Sequence, residues 1–329
     1  MAVNVHTIAK AAGVSPSTVS RVFNNNPDIA FETAERVRHE AKRLGYKRTS
    51  ARGRPANWKS KRTGNIAVLV PDVHQEAMRT VLMGRLLEGT EAALRAKRLN
   101  LLLAGLGPGE ALPPCLEPPQ VDGLLLRALS IGASLPAFER RLPDLPRVWM
   151  LEPSAPPAKG DVVQPDNEAV AHRAIDYLAG RECRRAIVYQ GMPAHNASRD
   201  RTEAFLRAAP RAGLNATTTD DMETIFTQLK RASKSERAAT GFFLPLGDEH
   251  TESFYRELAT LKLQQKDGTP IVSCNNNAAR LAALDPRLAN IDIRAEEIGK
   301  AAAELLIWRI QHPNEPQRRI LILPALVSG

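Results

Sequence analysis

Residues 5–24, VHTIAKAAGVSPSTVSRVFN, decide how the rest of the chain is read. Val5, Ile8, Ala9 and Ala12 recur at the spacing that puts them on one face of a short helix, with Asn4 placed to cap it. Gly13 is a turn former. Ser15 supplies the next N-cap, and Pro16 suits the first helical position, where its missing N–H leaves no helical bond unmade. Val19, Val22 and Phe23 then face inward from a second helix, while Ser17, Thr18, Ser20, Arg21 and Asn24 face outward. A small residue at 9, a glycine at 13 and a β-branched residue at 19 are what two helices joined by a tight turn require. Such a unit presents its second helix to the major groove of DNA. A third helix is expected over 31–44 on the stripe Ala34, Val37, Ala41 and Leu44, ended by Gly45, with Tyr46 closing the core. Ala30 stands where a Ser or Asp cap would add about 1 kcal/mol.

Charge points the same way independently. Residues 1–62 hold thirteen Lys/Arg and four Asp/Glu, whereas residues 63–329 hold thirty-two of each. The whole net charge of +9 therefore sits in the first fifth of the chain. A basic head on a neutral body suits a polyanionic partner.

The 329 residues suggest about two or three domains, and 43% apolar residues suffice for a core in the neutral part. No run approaches the ~18 apolar residues of a membrane span, and the start lacks the apolar stretch of a secretory signal. Cys115, Cys183 and Cys274 are isolated, which fits reduced thiols in a cytoplasmic protein and excludes a disulfide or zinc framework. The histidines form no ligand-spaced pair, so no metal and no cofactor is expected. Nor is an enzyme: Gly105, Gly107 and Gly109 miss the phosphate-loop spacing, and no GxSxG elbow surrounds Ser198.

The run TIAKAAGVSPSTVSRVFNNNPDIAFETAERVRHEAKRLGY is similar to the DNA-binding head of the LacI family of bacterial transcription repressors. By that resemblance Pro16, Ser17 and Arg21 stand at base-reading positions, and Ser15, Thr18, Ser20 and Asn24 at phosphate contacts. Arg21 has the fork to grip a guanine, or alternatively a phosphate. The next segment, 50–63 (SARGRPANWKSKRT), departs from the family. Its members carry a hinge helix with a leucine that wedges into the minor groove, and here Pro55 stands with no leucine. Arg52-Gly53-Arg54-Pro55 resembles the core of an AT-hook, which lies extended in a narrow A·T minor groove. Minor-groove reading by Arg52 and Arg54 is expected, against the alternative of a loose basic linker.

In the body, apolar runs at 66–70, 101–104, 121–126, 148–151, 186–189, 241–244 and 271–273 alternate with helical patterns near 78–98, 134–142, 167–180, 199–212, 222–233, 248–262 and 295–311. Alternation of this kind makes parallel, helix-covered sheets. It restarts after an expected loop at 155–164, so two sheets are expected. The order of VDGLLL, PDNEAVAHRAIDYLAG, RDRTEAF and EEIGKAAAELLIWRI resembles the periplasmic-binding-protein-like effector domain of LacI-type regulators. The fold expected is thus an all-α helix-turn-helix head plus an α/β periplasmic-binding-protein-like domain of two parallel-sheet lobes. The head takes 1–49, the basic hinge 50–63 and the effector and dimerisation domain 64–329. Lobe one is expected at about 64–164 and 293–318, and lobe two at about 165–292 and 319–329.

The resemblance implies an effector held between the lobes. Arg201 stands at the family's ligand-binding arginine, Glu152 follows the fourth strand, and Asn275-Asn276 replace a common acidic pair. Asp248 opens a helix near the cleft. His74, Gln75 and Arg79 replace an Asn-Pro-aromatic run. Trp149 is read as a core residue, and the proline-rich segment 105–120 as a loop or one helical turn. The function implied is a sequence-specific, homodimeric transcription regulator, a repressor, with three partners: a near-palindromic double-stranded operator, a small-molecule effector of the carbohydrate class, and a second copy. The alternative is a ligand-independent DNA-binding dimer with a degenerate pocket.

Overall fold

The computed structural model describes residues 5–23, 29–44, 46, 62–71, 80–107, 109–117, 119–127, 135–151, 157–191, 195–247, 249–260, 269–276, 284 and 288–327. It divides into two compact units, residues 1–61 and 62–329.

The first unit is three helices, α1 (Val5–Ala12), α2 (Pro16–Phe23) and α3 (Phe31–Arg43). Ile8, Ala9, Ala12, Val19, Val22, Val37 and Ala41 form its core, with Val5, Phe23, Ala34, Leu44 and Tyr46 packed around it. The rings of Phe23 and Tyr46 stack at 5.6 Å. Gly13 takes φ +65°, the left-handed backbone that lets α1 stop and α2 start within three residues. The Arg36 Nε donates to the Ala12 carbonyl at 3.1 Å and ties α3 to the end of α1. Ala30 does precede α3 without a side-chain cap.

The second unit holds two six-stranded sheets. The first is ordered β11-β5-β4-β3-β1-β2, from β1 (Asn65–Pro71), β2 (Asn100–Leu106), β3 (Gly123–Leu126), β4 (Arg147–Met150), β5 (Asp161–Pro165) and β11 (Arg319–Ile322). The second is ordered β12-β10-β9-β8-β6-β7, from β6 (Arg185–Tyr189), β7 (Asn215–Thr219), β8 (Thr240–Phe243), β9 (Ile271–Cys274), β10 (Ala289–Asp292) and β12 (Ala325–Val327). Every pairing is parallel except β10 with β12.

Strand alternation distributes the apolar residues to both faces. Ile66, Val68 and Val70 pack with α4 (Val81–Ala96) and α11 (Ala295–Gln311), while Ala67 and Leu69 face Trp149 and α5 (Leu135–Arg141). In the second lobe Ala186 and Val188 pack against α6 (Asn167–Ala179) and α7 (Asn196–Ala208). Ile187 and Tyr189 face α8 (Met222–Arg231) and α10 (Glu249–Thr260), with the short α9 (Lys234–Ala238) leading into β8.

Two expectations are corrected. The segment 155–164 is not all loop: residues 161–165 are β5, buried throughout and paired on both sides. Residues 319–329 do not all belong to the second lobe, because β11 pairs with β5 in the first sheet and only β12 joins the second. The chain therefore passes between lobes three times, after β5, after β10 and between β11 and β12. Trp149 is a core residue, fully buried, with its indole N–H donated to the Lys159 carbonyl at 3.0 Å. Among the described residues, 107–120 carry turns and no helix.

Helices α4 and α11 approach through two glycines. A Cβ on Gly89 would lie 1.9 Å from the Glu296 carbonyl oxygen, and one on Gly299 would lie 2.0 Å from that of Leu86. Alanine at 89 gains about 1 kcal/mol of helix propensity, but a backbone clash this close costs about 3 kcal/mol as overpacking. Gly89→Ala is expected to destabilise the body by about 2 kcal/mol in a denaturant titration, and an unchanged midpoint would contradict this packing.

Candidate functional site

In the head, the side chains expected to meet DNA are held by the start of α2. The Ser15 Oγ accepts the Thr18 backbone N–H at 3.1 Å and lies 2.7 Å from the Ser17 hydroxyl and 2.8 Å from that of Thr18. This is an N-cap that also lines up three hydroxyls at a helix N-terminus, where backbone N–H groups and the helix dipole favour a phosphate. Ser15, Pro16, Ser17 and Arg21 are exposed and Thr18 is half-buried, whereas Val19 and Val22 are buried behind them. Ser20 lies on α2 between them. Asn24, Arg52 and Arg54 lie outside the described residues.

The body carries a cleft between the two sheets, about 620 Å³ including the part open to solvent. Its wall is assembled at the carboxyl ends of strands from both lobes, where parallel sheets place their ligands. Arg127 follows β3, Leu151 follows β4, Gln164 and Pro165 end β5, Asn275 follows β9 and Ile293 follows β10. The starts of α6 and α7 add Asn167, His195, Asn196, Asp200 and Arg201. The cleft thus joins Arg201 and Asn275, two of the residues expected to hold an effector. Glu152, Asp248, His74 and Arg79 lie outside the described residues.

Arg201 is 2% exposed. Its Nε donates to the Asn167 Oδ1 at 2.9 Å and its Nη1 to the Pro245 carbonyl at 2.7 Å. These bonds fix the guanidinium plane against the wall by taking one donor from each side of it. Arg127 is 7% exposed, and burial pushes its guanidinium down to about 10. Burial raises the Asp200 carboxyl above its ordinary value, against the opposing pull of Arg199, whose Nη2 is 3.5 Å away. Leu151 and Asn275 take left-handed backbone, φ 66° and 77°. Asparagine tolerates that region and leucine does not, so the cleft stores strain at Leu151.

A second polar cluster joins the lobes beside the cleft. The Arg85 guanidinium on α4 reaches Asp292 at 3.1 Å and Glu296 at 3.0 Å, and donates to the Asn275 carbonyl at 3.4 Å. Asp292 ends β10 in the second lobe. The Asn276 amide also donates to Asp292 at 2.9 Å. Burial alone would raise the Asp292 carboxyl, but the bonds from Arg85 and Asn276 outweigh it and hold the group below its ordinary value. Burial likewise opposes the Arg85 charge, and Asp292 and Glu296 outweigh it. Asn275 therefore lines the cleft while its carbonyl accepts from a residue of the other lobe.

Residues 4–49 match the model of bacterial regulatory proteins of the lacI family, and residues 175–329 match the periplasmic binding protein-like domain. The chain joins a LacI-family DNA-binding domain to a periplasmic-binding-protein-like domain. The chain is 26% identical to the ribose operon repressor of Escherichia coli (strain K12), across 98% of this chain and 97% of that one. Among solved structures it is similar to the transcriptional regulator CelR–cellobiose complex, with TM-score 0.68 at 22% identity over the full length of both chains. It also resembles the lac repressor dimer bound to operator and the anti-inducer ONPF, with TM-score 0.63 at 16% identity over 100% of this chain and 98% of that one. It is a DNA-binding transcription regulator.

Sequence reasoning missed Arg127, Gln164, Asn167, His195 and Asp200. Asp200 was within reach, being next to Arg201 on the same helix turn. Arg127 carries no local signal, because its burial comes from walls far away in the chain. Among the described residues no group of His, Cys, Asp or Glu is arranged to hold a metal ion. The Gly107 N–H donates to the Glu110 carboxylate at 2.7 Å, so this glycine-rich turn is already occupied by an anion of its own. No described helix is long and apolar enough to cross a membrane.

Proposed function

We propose that this regulator is a homodimeric repressor whose two heads bind half-sites of a near-palindromic operator and whose grip is controlled by a sugar-class effector in the cleft. One observation carries the reading: α2 buries Val19 and Val22 and leaves Ser17 and Arg21 exposed on its opposite face. Arg21 and Ser17 read base edges, Pro16 sets the helix against them or meets a thymine methyl, and Ser15, Thr18, Ser20 and Asn24 hold phosphates. Arg52 and Arg54 enter the minor groove at the operator centre. Arg201 and Asn275 hold the effector, with Glu152, Asp248, His74 and Arg79 completing the site. The relative named for a ribose operon and the solved cellobiose complex support a carbohydrate effector. The chain performs no catalysis and works in the bacterial cytoplasm, a location its operator partner supports.

Selection of duplexes from a random pool by the purified dimer tests this. The expected result is a two-fold related site whose half-sites lie about one or two helical turns apart. Enrichment of no sequence over random competitor would remove the regulator reading. On the selected site, Arg52→Ala with Arg54→Ala should weaken A·T-centred operators about tenfold more than G·C-centred ones. Equal losses on both would leave the hinge a loose phosphate binder.

A further inference from the structure

We propose that Arg85 and Asp292 form a lock that sets the angle between the two lobes, a conformational device built into the crossover from β10 to α11. It needs no ligand and goes beyond the effector reading above.

The lock has a fixed half and a hinged half. Arg85 is mounted on α4, which meets α11 at the close glycine contacts, and its Nε donates to Glu296 on the first turn of α11 at 3.0 Å. Both helices belong to the first lobe. The other two nitrogens reach out of that lobe: Nη1 and Nη2 donate to the two Asp292 oxygens at 3.3 and 3.1 Å, as a fork. Asp292 is the last residue of β10, the second-lobe strand from which the chain crosses back. Ile293 and Arg294 alone separate it from α11.

The crossover is held in an uncommon conformation. Arg294 has φ 56° and ψ 57°, left-handed backbone that residues with a Cβ rarely adopt. The Asp292 Oδ1 accepts the Arg294 backbone N–H at 2.7 Å and so keeps it there. The same carboxylate accepts the Asn276 amide at 2.9 Å, and the Asn276 backbone N–H donates to the Oδ1 of the buried Asn290 at 2.6 Å. Asp292 thus takes bonds from the first lobe, from the crossover itself and from the turn after β9 in the second lobe. Rotation of one lobe against the other has to change backbone angles at the crossovers. Here it would also part the fork, whose side chains are 20% and 15% exposed, and leave a poorly hydrated cation and carboxylate apart. One angle is therefore favoured, and anything that turns the lobes has to outweigh the pair.

The test measures the distance between lobes in the full chain without ligand. Spin labels go on Glu91→Cys of α4 and Gln228→Cys of α8, both exposed, in a Cys115→Ser background, with labelled chains diluted into unlabelled ones. The parent is expected to give one narrow distance. Asp292→Asn and Arg85→Met should each broaden it about twofold or more, and Arg85→Lys less, since lysine keeps the charge without the fork. Glu296→Gln, which cuts a bond within the first lobe, should leave the width as it is. Hydrogen exchange separates a lock from general support: in Asp292→Asn and Arg85→Met the Arg294 amide should exchange about tenfold faster while those of β1 and β8 keep their rates. A broad distribution in the parent, an unchanged width in both variants or equal broadening in Glu296→Gln overturns the lock. So does exchange that rises throughout both sheets. The parent measurement needs no variant and stands if any of them fails to fold, and none of these outcomes bears on the effector reading.

Discussion

Raising the salt from about 50 to 200 mM is expected to weaken operator binding by the dimer about 10³- to 10⁵-fold, the loss for some 6–10 neutralised phosphates. The expectation comes from where the charge is. The first 62 residues carry the entire net +9 and the body is neutral, so nearly all of the electrostatic attraction to DNA is delivered by the heads and hinges. Each cation that meets a phosphate releases a condensed counterion, and the affinity falls as a power of the salt concentration. Replacing Arg52 and Arg54 by alanine in both protomers removes four cations and should lower the slope by about three to four. A slope near zero, measured by anisotropy across the same salt range, would mean that the basic segment does not meet the backbone.

The second large effect concerns the body. Asp161 → Ala is expected to destabilise it by about 3–5 kcal/mol. Asp161 opens β5, and its carboxylate accepts from Arg309 at 2.8 and 2.7 Å and from the Arg318 backbone N–H at 2.7 Å. Its side chain has no solvent exposure and that of Arg309 has 10%. Arg309 also donates to the carbonyls of His312, Glu315 and Pro316, so one guanidinium ties α11, the turn after it and β5 together. Removing the carboxylate leaves a buried cation, and that orphaned charge is the main cost. Replacing both partners with apolar residues of similar volume should recover most of the loss, because the pair itself gains little over good packing. A single variant within 1 kcal/mol of the parent in denaturant titration would refute the assignment.

The head was legible because its signals are local. Ser15-Pro16 marks a helix start and Gly13 the turn before it, while Val19 and Val22 set the inward face. None of these depends on distant residues. The central strands of the body were legible for a related reason: a strand covered on both faces is a continuous apolar run, as in Ile66–Val70 and Gly123–Leu126. The edges were not. β7 reads NATTT, without a large apolar residue, and is held by backbone pairing to β6. β5 lies between Gly160 and its own terminal Pro165, punctuation that reads as loop. β11 and β12 are four and three residues long, each with one neighbour, and only the partner strand gives them a sheet. In the cleft, Arg201 was singled out only by the family resemblance. Arg127 and Arg85 were not, since each gains its surroundings from segments more than a hundred residues away in part.

The two outermost strands near the carboxyl terminus leave a trace on how the protein is made. β5 and β10 lack their outer partners until residues 319–327 have left the ribosome, and α11, which covers one face of the first sheet, emerges only shortly before them. The nascent chain therefore carries an unfinished first sheet from β5 to β11 and an unfinished second sheet from β10 to β12. Their open borders can pair with those of neighbouring chains, so holding by a chaperone matters most until β11 and β12 have emerged.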